Sequence, residues 1–357
     1  MLFAYKYVPH PMEKMQEFID FIFYEVWCKA PDNGAFRLEL FDGNADLKEV
    51  MTSFFYDHTA SGDFIYGHVE RIYGHFAALS DPQINQIKVW YQANNDIERA
   101  CANDPAVHIA KYAAIMPVYQ ALGEQLAQFF KGLYDNIDVA ALRQKIGDID
   151  DHYRHFMQAN DLGKCPFCGI GDVKGVHHTK REAYDHYLPK ALYPFNSINF
   201  RNLAPACHEC NSTYKLGKDP LNSPAGRRRA FYPYANVAHS IDIKVELVKS
   251  DVDKLTRADV RLEFGPAVLM EQIETWKEVY GIEERYKAKC CGKSDGKYWL
   301  AQVLDEWQED GRSPADFLLA LARQANKNPY ADSNFLKKAF LDGCDRIGIL
   351  GNTDNAA

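Results

Sequence analysis

Two Cys-x-x-Cys pairs, Cys165/Cys168 and Cys207/Cys210, constrain this 357-residue chain more than any other feature. Each pair is a knuckle that offers two thiolates to one tetrahedral zinc ion, and the intervening residues 169–206 need only bring the chain back to the first knuckle. Pro166 and Gly169 suit the tight turn such a knuckle makes. The insert exceeds the usual zinc-ribbon spacing, so it is expected to carry structure of its own. Four cysteine ligands close the coordination shell, which makes the expected zinc structural rather than catalytic. A thioredoxin-like redox pair is the other reading of Cys-x-x-Cys, but no βαβ pattern surrounds either pair. The remaining cysteines of the nine (Cys28, Cys101, Cys290, Cys291 and Cys344) are scattered and read as buried free thiols. An odd count with two clustered pairs fits a reducing compartment.

The length corresponds to about two domains at roughly 150 residues each. Apolar residues make up 47% and charged residues 25%, close to globular averages, so disorder is not favoured. No window offers the run of roughly 18 apolar residues of a spanning helix. The N-terminus, MLFAYKYVPH, lacks the basic, apolar and small-residue segments of a secretory signal. A cytoplasmic protein without a membrane partner is expected. The net charge is −8, which argues against a basic coat for nucleic acid, but the charge is unevenly spread. Residues 1–163 hold 13 Lys and Arg against 23 Asp and Glu; residues 164–232 hold 11 against 5; residues 233–357 hold 17 against 21. A basic island between acidic flanks can attract a polyanion locally.

Helical spacing dominates the first 160 residues. Met15, Phe18, Ile19, Ile22 and Val26 fit one helical face over 12–27, and 63–79, 82–101, 106–133 and 139–158 show similar patterns. Pro117 is expected to kink or split the fourth segment. The lone histidines His58, His68, His75 and His108 read as structural or surface groups, and Phe54-Phe55-Tyr56 as core or partner-facing aromatics. Between Gly163 and Pro233 the texture turns to short segments rich in Gly, Pro, Asn, Cys and His. After it, 240–248 alternates apolar and polar residues as a strand does, and 260–264 could pair with it. Helices are expected over 266–289, 298–307, 314–325 and 335–347. Asn352 to Ala357 read as a disordered tail.

The residues that carry chemistry lie inside and just after the insert. Asp185 offers a hard oxygen beside the imidazole of His186. In a strand such neighbours point to opposite sides, so one can hold a cation while the other faces a water. Asn211 directly follows a zinc ligand, which would fix its amide oxygen rigidly enough to make it a credible second ligand. Lys215 lies four residues on, along the same helical face, where it could meet a phosphate. His177, His178 and His208 are read as structural or solvent-exposed.

The combined string, Asp185-His186-x-x-Pro189, Asn202-Leu203 and Cys207-x-x-Cys210-Asn211-x-x-x-Lys215, preceded by Cys165-x-x-Cys168, closely resembles the HNH endonuclease family. These are the ββα-metal nucleases, here in their four-cysteine zinc form. The resemblance implies that Asp185 holds a catalytic Mg²⁺ or Mn²⁺, that His186 is the general base and that Asn202 braces the loop. It places Asn211 as second ligand, where many members carry His; an amide suits either hard cation. Phosphodiester hydrolysis leaving 5′-phosphate and 3′-hydroxyl ends follows from the same resemblance. Lys190, Arg201, Lys215 and the triplet Arg227-Arg228-Arg229 are candidate contacts to the DNA backbone, with a solvated loop as the other reading of the triplet. More loosely, the Asp-His-Tyr-Leu-Pro-Lys form and the downstream Trp276-to-Tyr286 segment resemble HNH nucleases of bacterial anti-phage systems, some of which work with an ATPase partner.

The expected architecture is α+β and mostly helical. A helical region over 1–160 and a strand pair with helices over 233–350 flank a zinc-stapled ββα-metal module over 161–232. The expected function is metal-dependent DNA cleavage in anti-phage defence or restriction. The alternatives are a non-catalytic, zinc-dependent nucleic-acid-binding module or a partner-docking subunit.

Overall fold

Capped amphipathic segments build most of the N-terminal region. The computed structural model describes residues 1–237 and 239–351, so the tail expected over 352–357 lies outside the described residues. Helix α1 (Lys14–Phe21) runs into a wider π-type turn, Ile22–Trp27, and buries Phe18, Ile19, Phe23 and Trp27. Helix α2 (Ala45–Asp57) starts where the Asn44 side chain accepts the Leu47 amide. It buries Leu47, Val50, Met51 and Phe54, an i, i+3, i+4, i+7 set that was open to reading in the sequence. Thr59 caps α3 (Ala60–Phe76), and a Ser80/Gln83 capping box with Pro82 opens α4 (Asp81–Asn95). The fourth predicted segment is split, with a short turn at Tyr112–Ile115 and then α5 (Gln120–Leu133) beyond Pro117. The fifth breaks at Gly147, where φ is +79°, before α6 (Ile149–Ala159) begins under an Asp148 cap.

The middle of the chain is poor in regular structure. Strand β1 (Tyr184–His186) pairs antiparallel with β2 (Leu203–Pro205), Asp185 opposite Ala204 and His186 opposite Leu203. A π-type helical turn, Glu209–Lys215, follows, with Leu216 donating to the Asn211 carbonyl in the i→i+5 pattern. Two strands, two-residue arms at Asn222–Ser223 and Gly226–Arg227 aside, then complete the β content. They are β3 (Asp242–Leu247) and β4 (Val260–Gly265), antiparallel with Leu247 opposite Val260, the pairing their alternation suggested. The C-terminal helices are α7 (Met270–Tyr280), α8 (Ile282–Cys291), α9 (Gly296–Asp310), α10 (Pro314–Lys327) and α11 (Asn334–Arg346). Gly281, at φ +60°, makes the α7–α8 corner; a Cβ there would lie 2.3 Å from the Tyr214 ring. The fold is α+β and mostly helical.

Both helical regions pack onto the module through one contiguous apolar core. The N-terminal segment lies across it: the Leu2 amide donates to the Pro166 carbonyl, the Tyr5 amide to Pro233, and the Tyr5 hydroxyl to Pro205. Phe195, on the loop after β1, is the anchor on the other side. It is fully buried among Phe23, Tyr91 and Phe130, with ring centroids 5.2 to 5.9 Å away, and is held at φ +79°. A bulky residue there costs on the order of 1–3 kcal/mol in backbone strain, so the aromatic packing must over-determine the conformation.

Candidate metal centre and active site

Cys165, Cys168, Cys207 and Cys210 converge with their sulfurs within 4.8 Å of one another, all buried. The Cys168 and Cys207 sulfurs are 3.8 Å apart, and tetrahedral Zn–S bonds of about 2.3 Å put sulfurs at about that separation. The donor set and its spacing fit one closed structural zinc. Surrounding groups are arranged for thiolates. The Gly171 amide donates to Cys168 Sγ (3.3 Å), the Cys207 amide to Cys165 Sγ (3.5 Å) and Arg285 Nη1 to Cys210 Sγ (3.2 Å). Hydrogen bonding from the neighbouring cysteines, led by Cys165, holds the Cys168 thiol well below its ordinary range, and the Arg285 charge adds to this. Gly171 is required by contact, because a Cβ would sit 2.6 Å from Cys207 Sγ. Gly169 has φ +69°, as the knuckle turn predicted. The C-terminal helices close this end: the Tyr286 hydroxyl donates to the Cys168 carbonyl (2.8 Å) and Trp276 Nε1 to Phe167 (2.5 Å).

The β1 alternation sorts Asp185 inward and His186 outward. Asp185 is 2% exposed. Its Oδ1 accepts from Lys215 Nζ at 2.8 Å, and the same ammonium donates to the His186 carbonyl at 2.8 Å. The Tyr280 hydroxyl lies beside the carboxylate, yet neither it nor Asp185 Oδ2 completes a hydrogen bond. Burial pushes the Asp185 carboxyl up, against the pull of Lys215. His186 Nε2 faces the Ser197 carbonyl at 2.9 Å. A carbonyl can only accept, so Nε2 carries the proton and Nδ1 keeps the lone pair. Burial, with the Lys190 charge, pulls the imidazole down to about 3, which keeps it neutral. The Tyr134 ring meets it edge-on at 4.9 Å.

The loop that supplies the Ser197 carbonyl is held by asparagines. Asn202, fully buried, accepts the Leu188 amide at 2.7 Å and donates to the Leu188 and Asn196 carbonyls. Asn196 donates to the Asn94 carbonyl at 2.9 Å, and the Asn94 side chain binds Ala110 and Pro194. The bracing expected of Asn202 therefore continues into α4 of the helical region. Asn94, Asn196, Ser197 and Tyr134 were absent from the sequence reading, and Arg285 entered it only as part of the Trp276-to-Tyr286 segment, with no role. Asn94 alone had a usable signal: it falls on the apolar stripe of Ile84, Ile87 and Tyr91, where a polar residue demands partners.

Several predicted phosphate contacts are placed otherwise. Lys215 is fully buried and serves as internal counter-ion to Asp185 instead of facing solvent. Arg201 stacks over Tyr7 at 4.2 Å but stays exposed, so its place is compatible with a phosphate contact. Arg227 donates to the Val107 and Ala100 carbonyls and Arg228 pairs with Glu278, so these two are tied down, whereas the Arg229 side chain stays exposed with only its backbone amide hydrogen-bonded to Glu271. Lys190 remains at the surface, paired to Asp135. Asn211 is half-buried on the turn whose Lys215 reaches Asp185. A second group, His10, Asp151 and His155, also converges. There the Met12 amide donates to His10 Nδ1, which leaves Nε2 protonated and donating to Asp151, so His10 has no lone pair to offer a metal.

Among the described residues no helix is long and apolar enough to cross a membrane. Comparison with known proteins gives two short similarities. One is to protein ea31 of Escherichia phage lambda, 47% identical over 49 residues, which is 13% of this chain and 14% of that protein. The other is to the Septu protein PtuB of Bacillus thuringiensis, 34% identical over 64 residues, 17% of this chain and 24% of that protein. The chain thus matches less than a quarter of the length of either relative. No protein-family model matches, and no solved structure matches. The buried four-cysteine cluster fits a structural zinc site, and the Septu similarity is confined to a short segment of both chains.

Proposed function

We propose that this chain is a metal-dependent endonuclease that hydrolyses DNA phosphodiester bonds, with Asp185 and Asn211 as ligands of a divalent ion and His186 as general base. One observation carries the reading: adjacent β1 residues each keep one group open. Asp185 retains a buried carboxylate oxygen that makes no formed hydrogen bond, with the Tyr280 hydroxyl beside the carboxylate, and His186 retains Nδ1 because Nε2 is tied to Ser197. An orphaned buried acceptor is costly unless something completes it. A hard cation suits it, with the Asn211 amide as a further oxygen donor. When bound, Mg²⁺ or Mn²⁺ neutralises charge on the scissile phosphate and the leaving oxygen.

The chain's own residues do the rest. Lys215 holds Oδ1 and leaves Oδ2 to the ion. Ser197 fixes the tautomer, so Nδ1 takes the proton from the attacking water. The ring is neutral before DNA arrives, and a phosphate anion beside it raises its proton affinity, opposing the Lys190 charge. Resemblance to nucleases of anti-phage systems, with the short similarities to a phage protein and a Septu protein, supports a role in anti-phage defence or restriction, alongside a protein partner such as an ATPase. The test is cleavage of supercoiled plasmid with Mg²⁺ or Mn²⁺. Wild type should cut, and His186→Ala should cut about 10²–10⁴-fold more slowly with its zinc retained. Intact plasmid under both metals, or an undiminished His186→Ala, would sink the reading.

A further inference from the structure

On the solvent side of His186, two cations are held by packing while their carboxylate partners are loose. The Lys190 ammonium lies 5.7 Å over the Tyr134 ring, the same ring that meets His186, and pairs with Asp135 at 2.8 Å. Arg181 is a second charge near Tyr134, opposing the rise that burial gives its hydroxyl. Its Nε pairs with Asp150 at 2.6 Å and Nη1 donates to the Glu182 carbonyl at 3.3 Å. The Lys190 and Arg181 side chains are 27% and 31% exposed, against 67% for Asp135 and 71% for Asp150. Both carboxylates come from the acidic helical region, both cations from the basic module.

We propose that Lys190 and Arg181 are the contacts for DNA phosphates nearest the candidate base, and that Asp135 and Asp150 are exchangeable stand-ins for those phosphates. The asymmetry in exposure is the reason. Ion pairs with one exposed, solvated partner contribute little and are readily screened. The cations are pre-positioned by Tyr134 and the Glu182 carbonyl and remain in place when the partner changes. An incoming phosphate also offers more acceptor oxygens to the Arg181 fork than the single Asp150 contact uses. Tyr134 ties Lys190 to the ring of His186, and Arg181 lies near the same tyrosine, so DNA seated on both cations passes the base. The acidic helical region thereby weakens the module's grip on DNA, and a strand must compete with it to bind. This rests on the endonuclease reading above and gives that site a docking surface with a built-in competitor.

The experiment measures binding of a fluorescein-labelled 30-base-pair duplex in EDTA across a salt series, alongside plasmid cleavage in Mn²⁺. Asp135→Asn/Asp150→Asn removes the competitors without changing shape and should tighten binding about 3–10-fold. Lys190→Glu/Arg181→Glu should weaken it at least about 10-fold and flatten the salt slope by about two phosphate contacts. Zinc content and melting temperature serve as fold controls. If the Asn variant binds no better than wild type, the exchange is wrong. If wild type cuts plasmid but the charge reversal binds as wild type does, the docking surface falls and the nuclease reading stands. If wild type neither binds nor cuts, both fall together.

Discussion

At the four-cysteine end of the module all four cysteines are buried and three of the four sulfurs accept a hydrogen bond from a neighbouring N–H. At the Asp185–His186 end, some 20 residues away along the chain from either knuckle, the same protein leaves Asp185 Oδ2 and Ser197 Oγ without partners. The supports differ as well. Helices α7 and α8 clamp the cysteines through Trp276, Arg285 and Tyr286, whereas α4 holds the loop beside His186 through Asn94 and Asn196. Satisfied groups specify one rigid structure, and unsatisfied ones mark a place waiting for a ligand. The difference sets a closed centre suited to stability apart from an open one, on which the proposed chemistry rests.

Breaking the first end should have the largest effect. Structural zinc supplies on the order of 10–16 kcal/mol of apparent binding energy to domains that depend on it. Cys207→Ser should therefore lose zinc and the protease protection of residues 161–232 together. Stoichiometric zinc in that variant, measured by elemental analysis, would show that the cluster does not staple the module. Next in size is Asn94→Ala. It strands the Ala110 amide and the carbonyls of Ala110 and Pro194, a cost of about 1–3 kcal/mol in stability. It should also slow cleavage by letting the Ser197 carbonyl drift from His186, while zinc content stays at one per chain. Loss of zinc in the same variant would mean that the two ends are one cooperative unit and the contrast is false. Arg285→Met tests the clamp more gently. Removing a hydrogen-bond donor to a zinc thiolate typically costs about 10–100-fold in metal affinity, so chelator competition should strip zinc faster, with cleavage unchanged at saturating zinc. Unchanged stripping would reduce Arg285 to a packing residue over Tyr214.

What could be read from the sequence was local. The cysteine pairs, the β3–β4 alternation and most helices depend on spacings of two to four residues, which a string displays directly. The α2 helix was equally legible through Leu47, Val50, Met51 and Phe54, but its aromatic end drew attention away from its period. The fates of Lys215, Arg227 and Arg285 were not legible. Each is decided by a partner 30 to 127 residues distant, and counting charges treats every cation as solvated. The basic island is partly at the surface, where Lys180, Arg201, Lys218 and Arg229 are exposed, and partly inside, where Lys215 and Arg227 spend their charge or donors. Asn94 lies between these cases. Its place on an apolar stripe announced a buried amide, but not that the partner would be the loop beside His186.

The smallest effect sharpens the contrast through pH. His152, on α6, packs on Phe200 at 4.3 Å, and its Nδ1 meets the hydroxyl of Tyr184, the residue before Asp185. Burial, then the charges of His10 and His155, pull it down to about 3, with Asp151 opposing. The unfolded chain has an ordinary imidazole near 6.5, so the folded state prefers the neutral ring. This preference is complete above about pH 6.5 and is lost as pH falls toward 3, at about 1.4 kcal/mol per unit. Between pH 7.5 and 6 His152 contributes a loss of about 1 kcal/mol, and His186, held down to about 3 as well, adds a similar loss that His152→Gln leaves in place. It acts on the β1 end, while the cysteine end has no imidazole ligand to protonate in that window. Urea midpoints at the two pH values should therefore fall for wild type and fall less for His152→Gln, which keeps an acceptor and cannot titrate. Zinc content should not change over the same range. Parallel declines in wild type and His152→Gln would place the sensitivity elsewhere, and zinc loss by pH 6 would show that acid reaches the stapled end first.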